Sequence, residues 1–597
     1  DSQTVDVTEL LAAIRRGERT VALGDGTTGT LPEEWVRKHC SWLSLGEQAR
    51  DQDGTAEIRF ASSQACIIDL LLEQLPEATF DKAVAAARRR IAGFKHIEAR
   101  PQPTGFTGTL RDYQTHGLGW LEFLKDFGLG GILADDMGLG KTIQLLAHIQ
   151  DCRNRDRVKG RLPWLIVAPK SLVFNWAREA KRFTPALNVL EYTGAERHEA
   201  QDHIATADVV LTTYGALRTD ATSLHERRWE AVVLDEAQAI KNGSSLGAKA
   251  ARLVGASAKR RIAMTGTPIE NSLADLWSIM EFPNPGMLGT ASAFKEVSKL
   301  SSQAAAEEES SLVRRAVKPF ILRRTKQVVA KELPARTEQT IRCELSGEQK
   351  TLYDSILKHY RESLLGTNGK VATQGVGKSR IHVLEALLRL RQAACHPDLI
   401  EPKDRPITKS KKTKAAPTPE AASSKLSTMM EMLDEILAER HSVLIFSQFT
   451  SLLAIVRSAL DQRGIAHEYL DGQTPLKERA KAVDRFQKVD AKSPRVFVVS
   501  LKAGGVGLNL TAADYVFILD PWWNPAAESQ AIDRAHRIGQ TRSVMAYRFI
   551  AAGTVEDRIQ ELQASKRALA TAIMGDDSPA DGPLASLTKD ELTWLLS

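Results

Sequence analysis

The sequence predicts an α/β protein built around two parallel β-sheets, each covered by helices. Short apolar runs alternate with helical segments between residues 105 and 282, and the same alternation returns between residues 426 and 550. At 597 residues, the chain is also too long for a single hydrophobic core. We therefore expect two α/β lobes, each with its functional residues at the carboxyl ends of its strands.

The composition of the chain limits the classes of protein to which it can belong. A hydrophobic fraction of 43% and a charged fraction of 26% are typical of soluble globular domains. No apolar run is long enough to span a membrane, and the first residues do not resemble a signal peptide. Because the chain begins with Asp1, we expect it to be a fragment of a longer protein. A net charge of +6 is compatible with an anionic partner.

The five cysteines are scattered, which argues against a disulfide framework or a structural zinc site and suits a reducing compartment. Cys395 and His396 are adjacent, but a helix end with a small apolar thiol explains this pair better than a metal site does.

Residues 1–104 are predicted to form a small α+β accessory segment. TVALGDGTTGTLP, residues 20–32, contains short β-like runs around a turn, and DKAVAAARRRIAGF, residues 81–94, is typical of a helix. The arginines at 88–90 fit a solvated helix face better than a nucleic-acid site. The sequence does not indicate the function of this segment.

Residues 105–282 form the first predicted lobe and residues 426–550 the second. In the first, the predicted strands are GGILA, PWLIVAP, DVVLTT, WEAVVLDE and RIAMTGT, and in the second they are HSVLIFSQF, PRVFVVS, DYVFILD and VMAYRFI. Helical segments such as KTIQLLAHI and LVFNWAREAKRF lie between them.

Residues 283–425 are predicted to be a helical insertion that ends in a disordered linker, KDRPITKSKKTKAAPTPEAASSK. Its lysines are better explained by a solvated linker than by nucleic-acid contact. Residues 551–597 are predicted to form a helical extension.

The stretch GGILADDMGLGKT has the features of a phosphate-binding loop. Gly138, Gly140, Lys141 and Thr142 follow a predicted strand and open a helix, so backbone N–H groups would face the phosphates. Lys141 would reach the β- and γ-phosphates, and Thr142 would bind Mg²⁺. The strict pattern requires glycine where this chain has Asp135, so a glycine-rich turn with an incidental lysine is the alternative.

That alternative is weakened by VVLDEAQAIKN, in which a strand delivers two carboxylates to the sheet edge about a hundred residues later. Asp235 would complete the Mg²⁺ shell, and Glu236 would polarise the attacking water as general base.

Together with these motifs, several others resemble the Swi/Snf-type motors of helicase superfamily two, which are DNA translocases. The strings are LRDYQTHGLGWL, DDMGLGKT, APKSLVFNW, LTTYGALR, DEAQ, TGTPIENSLADLW, VLIFSQF, VSLKAGGVGLNLTAADYVFILDPWWNP and QAIDRAHRIGQ. They fall in the family's order over residues 105–570, and the DEAQ box is more similar to bacterial and archaeal members. The resemblance implies two RecA-like lobes that use ATP and Mg²⁺.

The resemblance also assigns the nucleotide site. DDMGLGKT is the family's form of the phosphate loop, so Asp135 is expected there, and Asp136, Met137 and Leu139 belong to the loop. Gln114 would contact the adenine. Arg534 and Arg537 would be arginine fingers that stabilise charge on the γ-phosphate. Their spacing predicts one face of a helix.

Two further groups are implied by the resemblance. The coupling group, which would sense nucleotide state, comprises Gln238, Thr265, Gly266 and Thr267, although the last three also fit an ordinary strand-end turn. The predicted DNA-backbone contacts are Lys170, Asn175, Trp176, Ser447, Gln448, Lys502, Gly504, Gly505, Trp522, Trp523 and Asn524. Trp523 fits a position in the core equally well.

We expect a monomeric, DNA-stimulated ATPase that translocates on double-stranded DNA and displaces or remodels DNA-bound proteins of unknown identity. It would not engage a membrane, and it would be cytoplasmic, associated with the nucleoid if prokaryotic. A strand-separating helicase or RNA-acting motor is the alternative. A non-catalytic scaffold is disfavoured because Lys141, Thr142, Asp235, Glu236 and both arginines are present.

Overall fold

In the computed structural model, the described residues are 20–22, 27–30, 47–50, 56–60, 62–65, 68–69, 97–155, 161–266, 273–291, 315–330, 332–345, 347–365, 376–401, 420–488, 490, 493–501, 508–521 and 525–561. The chain divides into two compact units. The first comprises residues 1–136 and 140–325, and the second comprises residues 137–139 and 326–597.

The N-terminal segment contributes two short antiparallel strand pairs. Strand β1 (Thr20–Ala22) pairs with β2 (Thr28–Thr30), and β3 (Glu47–Arg50) pairs with β4 (Ala56–Arg59). The helix predicted at residues 81–94 lies outside the described residues.

A seven-stranded parallel sheet forms the centre of the first unit. Its strands are β5 (Gly131–Leu133), β6 (Trp164–Ala168), β7 (Val189–Tyr192), β8 (Val209–Thr213), β9 (Trp229–Asp235), β10 (Ala258–Met264) and β11 (Ile321–Leu322), in the order β11-β5-β10-β9-β6-β8-β7. Its interior residues, such as Ile132, Ile166 and Val233, are fully buried, as in sheets covered on both faces.

Helices connect these strands. They are α1 (Asp112–Phe127), α2 (Lys141–Arg155), α3 (Lys170–Phe183), α4 (Tyr214–Thr219), α5 (Ala221–His225), α6 (Leu246–Gly255) and α7 (Leu273–Met280).

The register of the first sheet aligns the carboxyl ends of four neighbouring strands. Leu133 of β5 pairs with Leu322 of β11 and with Met264 of β10, and Met264 in turn pairs with Asp235 of β9. Residues that follow these strands therefore meet at one edge of the sheet, where parallel sheets bind ligands.

The second unit contains a six-stranded parallel sheet. Its strands are β12 (Arg336–Glu344), β13 (Val443–Ser447), β14 (His467–Leu470), β15 (Val496–Ser500), β16 (Tyr515–Ile518) and β17 (Val544–Ala552), in the order β12-β17-β16-β13-β15-β14. Its helices are α8 (Lys326–Val329), α9 (Gly347–Leu365), α10 (Val376–Cys395), α11 (Ser424–Ala438), α12 (Thr450–Gln462), α13 (Leu476–Gln487) and α14 (Pro525–Ile532).

Both faces of the second sheet are covered. Val443 and Ile445 of β13 belong to one hydrophobic cluster, and Leu444 and Phe446 belong to another. Because successive strand residues face opposite sides, the two clusters lie on the two faces of the sheet. None of the helices in the described part of the chain has the length and apolar character needed to cross a membrane.

All nine predicted strands are present, so the predicted fold class is confirmed. The prediction for residues 283–425 is wrong in one respect, because this segment is not only helical. It supplies β11 to the first sheet and β12 to the second. Strand β11 has only two residues, and β12 is a mostly exposed edge strand, so neither has the apolar run of a central strand.

A buried ion pair links three elements of the second unit. Lys425 Nζ, at the start of α11, lies 2.8 and 2.6 Å from the two carboxylate oxygens of Glu556 and 3.0 Å from the carbonyl oxygen of Leu519. Glu556 also accepts a hydrogen bond from the backbone N–H of Ala551 at 2.9 Å. Both charged side chains are almost fully buried, so each depends on the other for compensation.

We expect Lys425→Met to lower the free energy of unfolding by about 3–5 kcal/mol, because it leaves Glu556 buried without its cation. Urea unfolding of the full chain would measure this change. The matched control is Lys481→Met, which removes the exposed Lys481–Glu478 pair and should leave the free energy of unfolding nearly unchanged. Equal effects of the two substitutions would contradict the prediction.

Candidate functional site

The predicted phosphate loop connects β5 to α2 at the sheet edge described above. Gly138 and Gly140 adopt positive φ angles of 86° and 74°, which side-chain-bearing residues rarely adopt. A Cβ at position 140 would also lie only 2.7 Å from Nε2 of Gln114. Both glycines are therefore required by the path of the backbone.

Lys141 and Thr142 lie in the first turn of α2, as predicted. The ammonium of Lys141 donates to the carbonyl oxygens of Asp135, at 2.5 Å, and Asp136, at 3.3 Å. It therefore lies against the backbone of the loop, at the N-terminus of a helix, where the helix dipole favours an anion such as phosphate.

Gln114 lies near the start of α1 and is buried. Its side-chain oxygen accepts a hydrogen bond from the backbone N–H of Arg111 at 3.0 Å, while its amide nitrogen faces Gly140 of the loop. The structure therefore brings the residue predicted to bind adenine next to the phosphate loop.

Asp235 ends β9 and is buried. Its Oδ2 accepts a hydrogen bond from the indole N–H of Trp176 at 2.8 Å, and its Oδ1 accepts one from the backbone N–H of Glu236 at 2.9 Å. Burial, together with the neighbouring Glu236 carboxylate, raises the pKa of Asp235 to about 7, while the Lys141 ammonium and these hydrogen bonds act in the opposite direction. A bound divalent cation would favour the ionised form, so the chemistry of Asp235 suits the predicted Mg²⁺ site.

Glu236 has a positive φ of 53°, a conformation that is costly for a residue with a side chain. Its carboxylate accepts a hydrogen bond from the amide of Gln238 at 2.8 Å, and the Gln238 oxygen accepts one from the Thr265 hydroxyl at 3.1 Å. The predicted general base is thus joined to Gln238 and Thr265 of the predicted coupling group. Gly266 follows directly, whereas Thr267 lies outside the described residues.

The predicted DNA contact at Trp176 is wrong. Its side chain is only 1% exposed and its indole N–H is directed at Asp235, so no surface remains for a DNA phosphate. On the same helix, α3, Lys170 is exposed, and Asn175 donates to Glu179 at 3.1 Å. These two residues remain predicted DNA contacts.

The prediction that Arg534 and Arg537 share a helix face is also wrong. Helix α14 ends at Ile532, and both arginines lie in the turns that follow it. The side-chain amide of Gln540 donates to the carbonyl oxygens of Ala513 and Ala535, which stabilises these turns in place of a continued helix. Arg534 is buried, and Arg537 donates to the Leu508 carbonyl oxygen at 3.0 Å.

Ser447 is the last residue of β13, and Gln448 follows it at the carboxyl edge of the second sheet. The backbone N–H of Gln448 donates to both carboxylate oxygens of Asp520, at 3.1 and 3.2 Å. Burial raises the pKa of Asp520 to about 6. A buried acid therefore fixes the backbone of Gln448. The predicted DNA contact at Ser447 is wrong for the same reason as that at Trp176, because the side chain of Ser447 is fully buried. Lys502, Gly504, Gly505, Trp522, Trp523 and Asn524 lie outside the described residues.

Sequence reasoning missed two residues that contact the site, Tyr214 and Arg324, and assigned a third, Trp176, to the wrong role. Trp176 bonds Asp235, Tyr214 donates its hydroxyl to the Asp235 carbonyl oxygen at 2.9 Å, and Arg324 bonds Asp135. The signal for Arg324 was Asp135 itself, because a carboxylate next to a buried strand requires a cation. No comparable signal marked the other two.

A cluster of Glu122, His148 and Cys152 has ligand atoms close enough to hold a metal ion. However, Arg155 donates to both carboxylate oxygens of Glu122 at 2.5 and 2.6 Å, and Arg260 approaches His148 at 3.4 Å. The Arg155 guanidinium already compensates the Glu122 carboxylate, and both guanidinium groups would repel a metal cation. We therefore assign this cluster to the packing of the first unit.

Comparisons with known proteins identify the family of the chain. Residues 113–399 match the SNF2-related domain, and residues 425–539 match the helicase conserved C-terminal domain. The chain is 36% identical over 547 residues to the putative ATP-dependent helicase/translocase YwqA of Bacillus subtilis, covering 90% of this chain and 56% of that protein. It is 34% identical over 522 residues to the ISWI chromatin-remodeling complex ATPase CHR11 of Arabidopsis thaliana, covering 85% of this chain and 46% of that protein.

Among solved structures, the SWI2/SNF2 ATPase core of Sulfolobus solfataricus in complex with dsDNA is 34% identical, with a TM-score of 0.40, and the match covers 82% of this chain and 98% of that one. The chain spans about half the length of the curated relatives described above.

We expect Trp176→Phe to lower ATP turnover by about 10- to 100-fold, because it removes the N–H donor that holds the Asp235 carboxylate. Steady-state ATPase assays at saturating DNA would measure turnover. The control is Trp229→Phe, since Trp229 is buried at the other end of β9 and its indole donates to Leu224. An unchanged turnover with a higher DNA requirement would instead support a DNA contact at Trp176.

We expect Asp235→Asn to stabilise the protein at pH 8 but not at pH 4. The unfolded pKa is near 4 and the folded pKa is about 7, so the stability contributed by protonated Asp235 is complete below pH 4 and lost as the pH rises to 7. The free energy of unfolding of Asp235→Asn should therefore increasingly exceed that of the wild type between pH 4 and 7, and the difference should then level off at a few kcal/mol. Urea midpoints measured from pH 4 to 8 test this, with the exposed Asp461→Asn as control; a pH-independent advantage contradicts it.

Proposed function

The chain belongs to the SNF2-related family of ATP-dependent helicase-type motors, and on this premise we propose that it hydrolyses ATP·Mg²⁺ and uses the energy to translocate along double-stranded DNA. The observation that carries the proposal is the meeting of Lys141, Asp235 and Glu236 at one edge of the first sheet. This combination of a phosphate-binding cation, a metal-binding carboxylate and a second carboxylate is what phosphoryl transfer to water requires.

Each residue has a proposed role in hydrolysis. The N–H groups of the phosphate loop and the Lys141 ammonium bind the β- and γ-phosphates, and Gln114 binds the adenine. Thr142 and Asp235 would hold Mg²⁺, which would neutralise phosphate charge. Glu236 accepts a proton from the attacking water.

Gln238 joins Glu236 to Thr265, so it is suited to report the state of the nucleotide. Arg534 and Arg537 are proposed to stabilise the negative charge that develops on the transferred phosphoryl group.

Double-stranded DNA is the proposed track. The names of the relatives, a helicase/translocase and a chromatin-remodeling ATPase, support a motor that acts on DNA. Lys170 is exposed on α3, and its ammonium suits contact with a phosphate without base reading. We propose that movement along the duplex displaces or remodels bound proteins.

ATPase assays of the full chain with duplex DNA, single-stranded DNA and RNA test this function, at two salt concentrations. We expect duplex DNA to stimulate turnover most and salt to weaken the stimulation, because phosphate contacts release counterions. Triplex-displacement and fork-unwinding assays then separate translocation from strand separation. Efficient fork unwinding without triplex displacement would favour the strand-separating helicase instead.

The Glu236→Gln variant tests the proposed chemistry. We expect it to bind a fluorescent ATP analogue with unchanged affinity but to lose at least about 100-fold in turnover, because the amide cannot accept the proton. The paired control is Glu226→Gln, an exposed position in the same unit. Wild-type turnover in Glu236→Gln would show that the base assignment is wrong.

A further inference from the structure

The chain passes from the first unit to the second between Thr325 and Lys326. The residues on either side of this crossover, Arg324 and Lys326, are both largely buried and both contact predicted nucleotide-site motifs. Arg324 does so within the first unit, and Lys326 within the second. Neither has a role in the mechanism proposed above.

Arg324 follows β11 and binds the start of the phosphate loop. Its Nε lies 2.9 Å from Oδ1 of Asp135, and its Nη2 contacts Oδ2 of the same carboxylate, so the guanidinium forms a two-pronged ion pair. Its carbonyl oxygen accepts a hydrogen bond from the backbone N–H of Asp136 at 3.0 Å. Arg324 thus holds Asp135 through its side chain and Asp136 through its backbone.

The same guanidinium extends to the neighbouring helices. Its Nη2 lies 2.7 Å from Oε1 of Gln144 on α2, and its Nη1 contacts the carbonyl oxygen of Tyr113, next to Gln114. The amide of Gln144 also donates to Asp135 at 3.1 Å. A side chain at Gly117 would collide with this cluster, because its Cβ would lie 1.9 Å from Gln144 Oε1.

Lys326 makes the corresponding contacts in the second unit. Its ammonium lies 2.7 Å from Oδ1 of Asp533 and 2.7 Å from the carbonyl oxygen of His536. Arg336 reinforces the same carboxylate at 3.0 Å. Asp533 and His536 lie in the turns that carry Arg534, and Arg537 follows His536 directly, so Lys326 fixes the backbone of both arginines.

We propose that Arg324 and Lys326 are positioning residues of the ATPase reaction. Arg324 sets the shape of the phosphate loop through Asp135, and Lys326 sets the turns that present Arg534 and Arg537. This proposal rests on the proposed function, since it assigns each contact a role in binding or hydrolysing ATP.

The chemistry of the two side chains fits these roles. A planar guanidinium can satisfy both oxygens of Asp135 at once, whereas lysine cannot reproduce that fork. The Asp135 carboxylate is 0% exposed, so its charge must be compensated inside the protein. Burial lowers the pKa of Lys326, while Asp533 opposes that change and favours the charged ammonium.

Loss of the Arg324 contacts should change the ATP dissociation constant, whereas loss of the Lys326 contacts should change kcat. The loop binds nucleotide in the ground state, so disturbing it weakens ATP binding. The arginines act on charge that develops during transfer, so disturbing their turns lowers kcat without weakening ground-state binding.

The first arm of the experiment measures the ATP dissociation constant of the full chain with a fluorescent analogue and Mg²⁺. We expect Arg324→Gln and Asp135→Asn each to raise the ATP dissociation constant by about tenfold. The double variant should have the same dissociation constant as either single variant, because both substitutions remove the same ion pair. Arg324→Lys retains the positive charge but cannot bind both oxygens of Asp135, so it should raise the dissociation constant about threefold. If Arg324→Gln does not fold, Arg324→Lys decides the outcome. An unchanged dissociation constant in the folded variants overturns the role of Arg324.

The second arm measures kcat at saturating ATP and duplex DNA. We expect Lys326→Gln to lower kcat at least tenfold while the ATP dissociation constant stays within twofold of wild type, and Lys326→Arg to recover most of the loss. If Lys326→Gln does not fold, Arg336→Gln removes the second cation from Asp533 and should lower kcat about threefold. Wild-type kcat in a folded Lys326→Gln or Arg336→Gln variant overturns the role of Lys326.

Matched controls come from ion pairs away from the motifs. Arg197→Gln removes an arginine fork on Asp220 in the first unit, and Arg463→Gln removes one on Glu420 in the second. Neither should change the dissociation constant or kcat, and equal effects in the controls overturn the proposal. If the wild-type chain binds ATP but shows no DNA-stimulated turnover, the proposed function fails, whereas active wild type with unaffected variants removes only this inference.

Discussion

The proposed nucleotide site depends on two aspartates that are buried at the same edge of the first sheet and are compensated differently. Asp135 is matched by the two-pronged guanidinium of Arg324. Asp235 receives only an indole N–H and a backbone N–H, and burial raises its pKa to about 7. The first carboxylate is therefore structural, while the second keeps a deficit of positive charge that a divalent cation can fill.

This difference extends to the groups around Asp235. Glu236 is held at a positive φ and is bonded to Gln238, which is bonded to Thr265 at the end of β10. Strained residues are a common feature of functional sites, and this chain of hydrogen bonds connects Glu236 to the end of the strand next to β9. The proposed site therefore combines a loop held by an ion pair with a carboxylate that is hydrogen-bonded, through Gln238, to a neighbouring strand end.

The sequence predicted the elements with strong local signals. Continuous apolar runs identified the central strands, and Lys141, Thr142, Asp235 and Glu236 followed from the spacing of their motifs. It failed where the contact is distant or the run is short. The two residues of β11 carry no apolar pattern, and the bond from Trp176 to Asp235 joins positions 59 residues apart. The end of α14 at Ile532 depends on Gln540, whose amide holds carbonyl oxygens that no helical pattern includes.

The position of β11 has a consequence for how the chain is synthesised. The edge strand of the first sheet and the cation for Asp135 come from residues 321–324, long after the other six strands have been made. A nascent chain that has reached only residue 282 exposes the free edge of β5 and contains an uncompensated acid beside its phosphate loop. The ribosome must therefore release some forty further residues before the first unit can close, and gene fragments that stop earlier would encode an unfinished sheet.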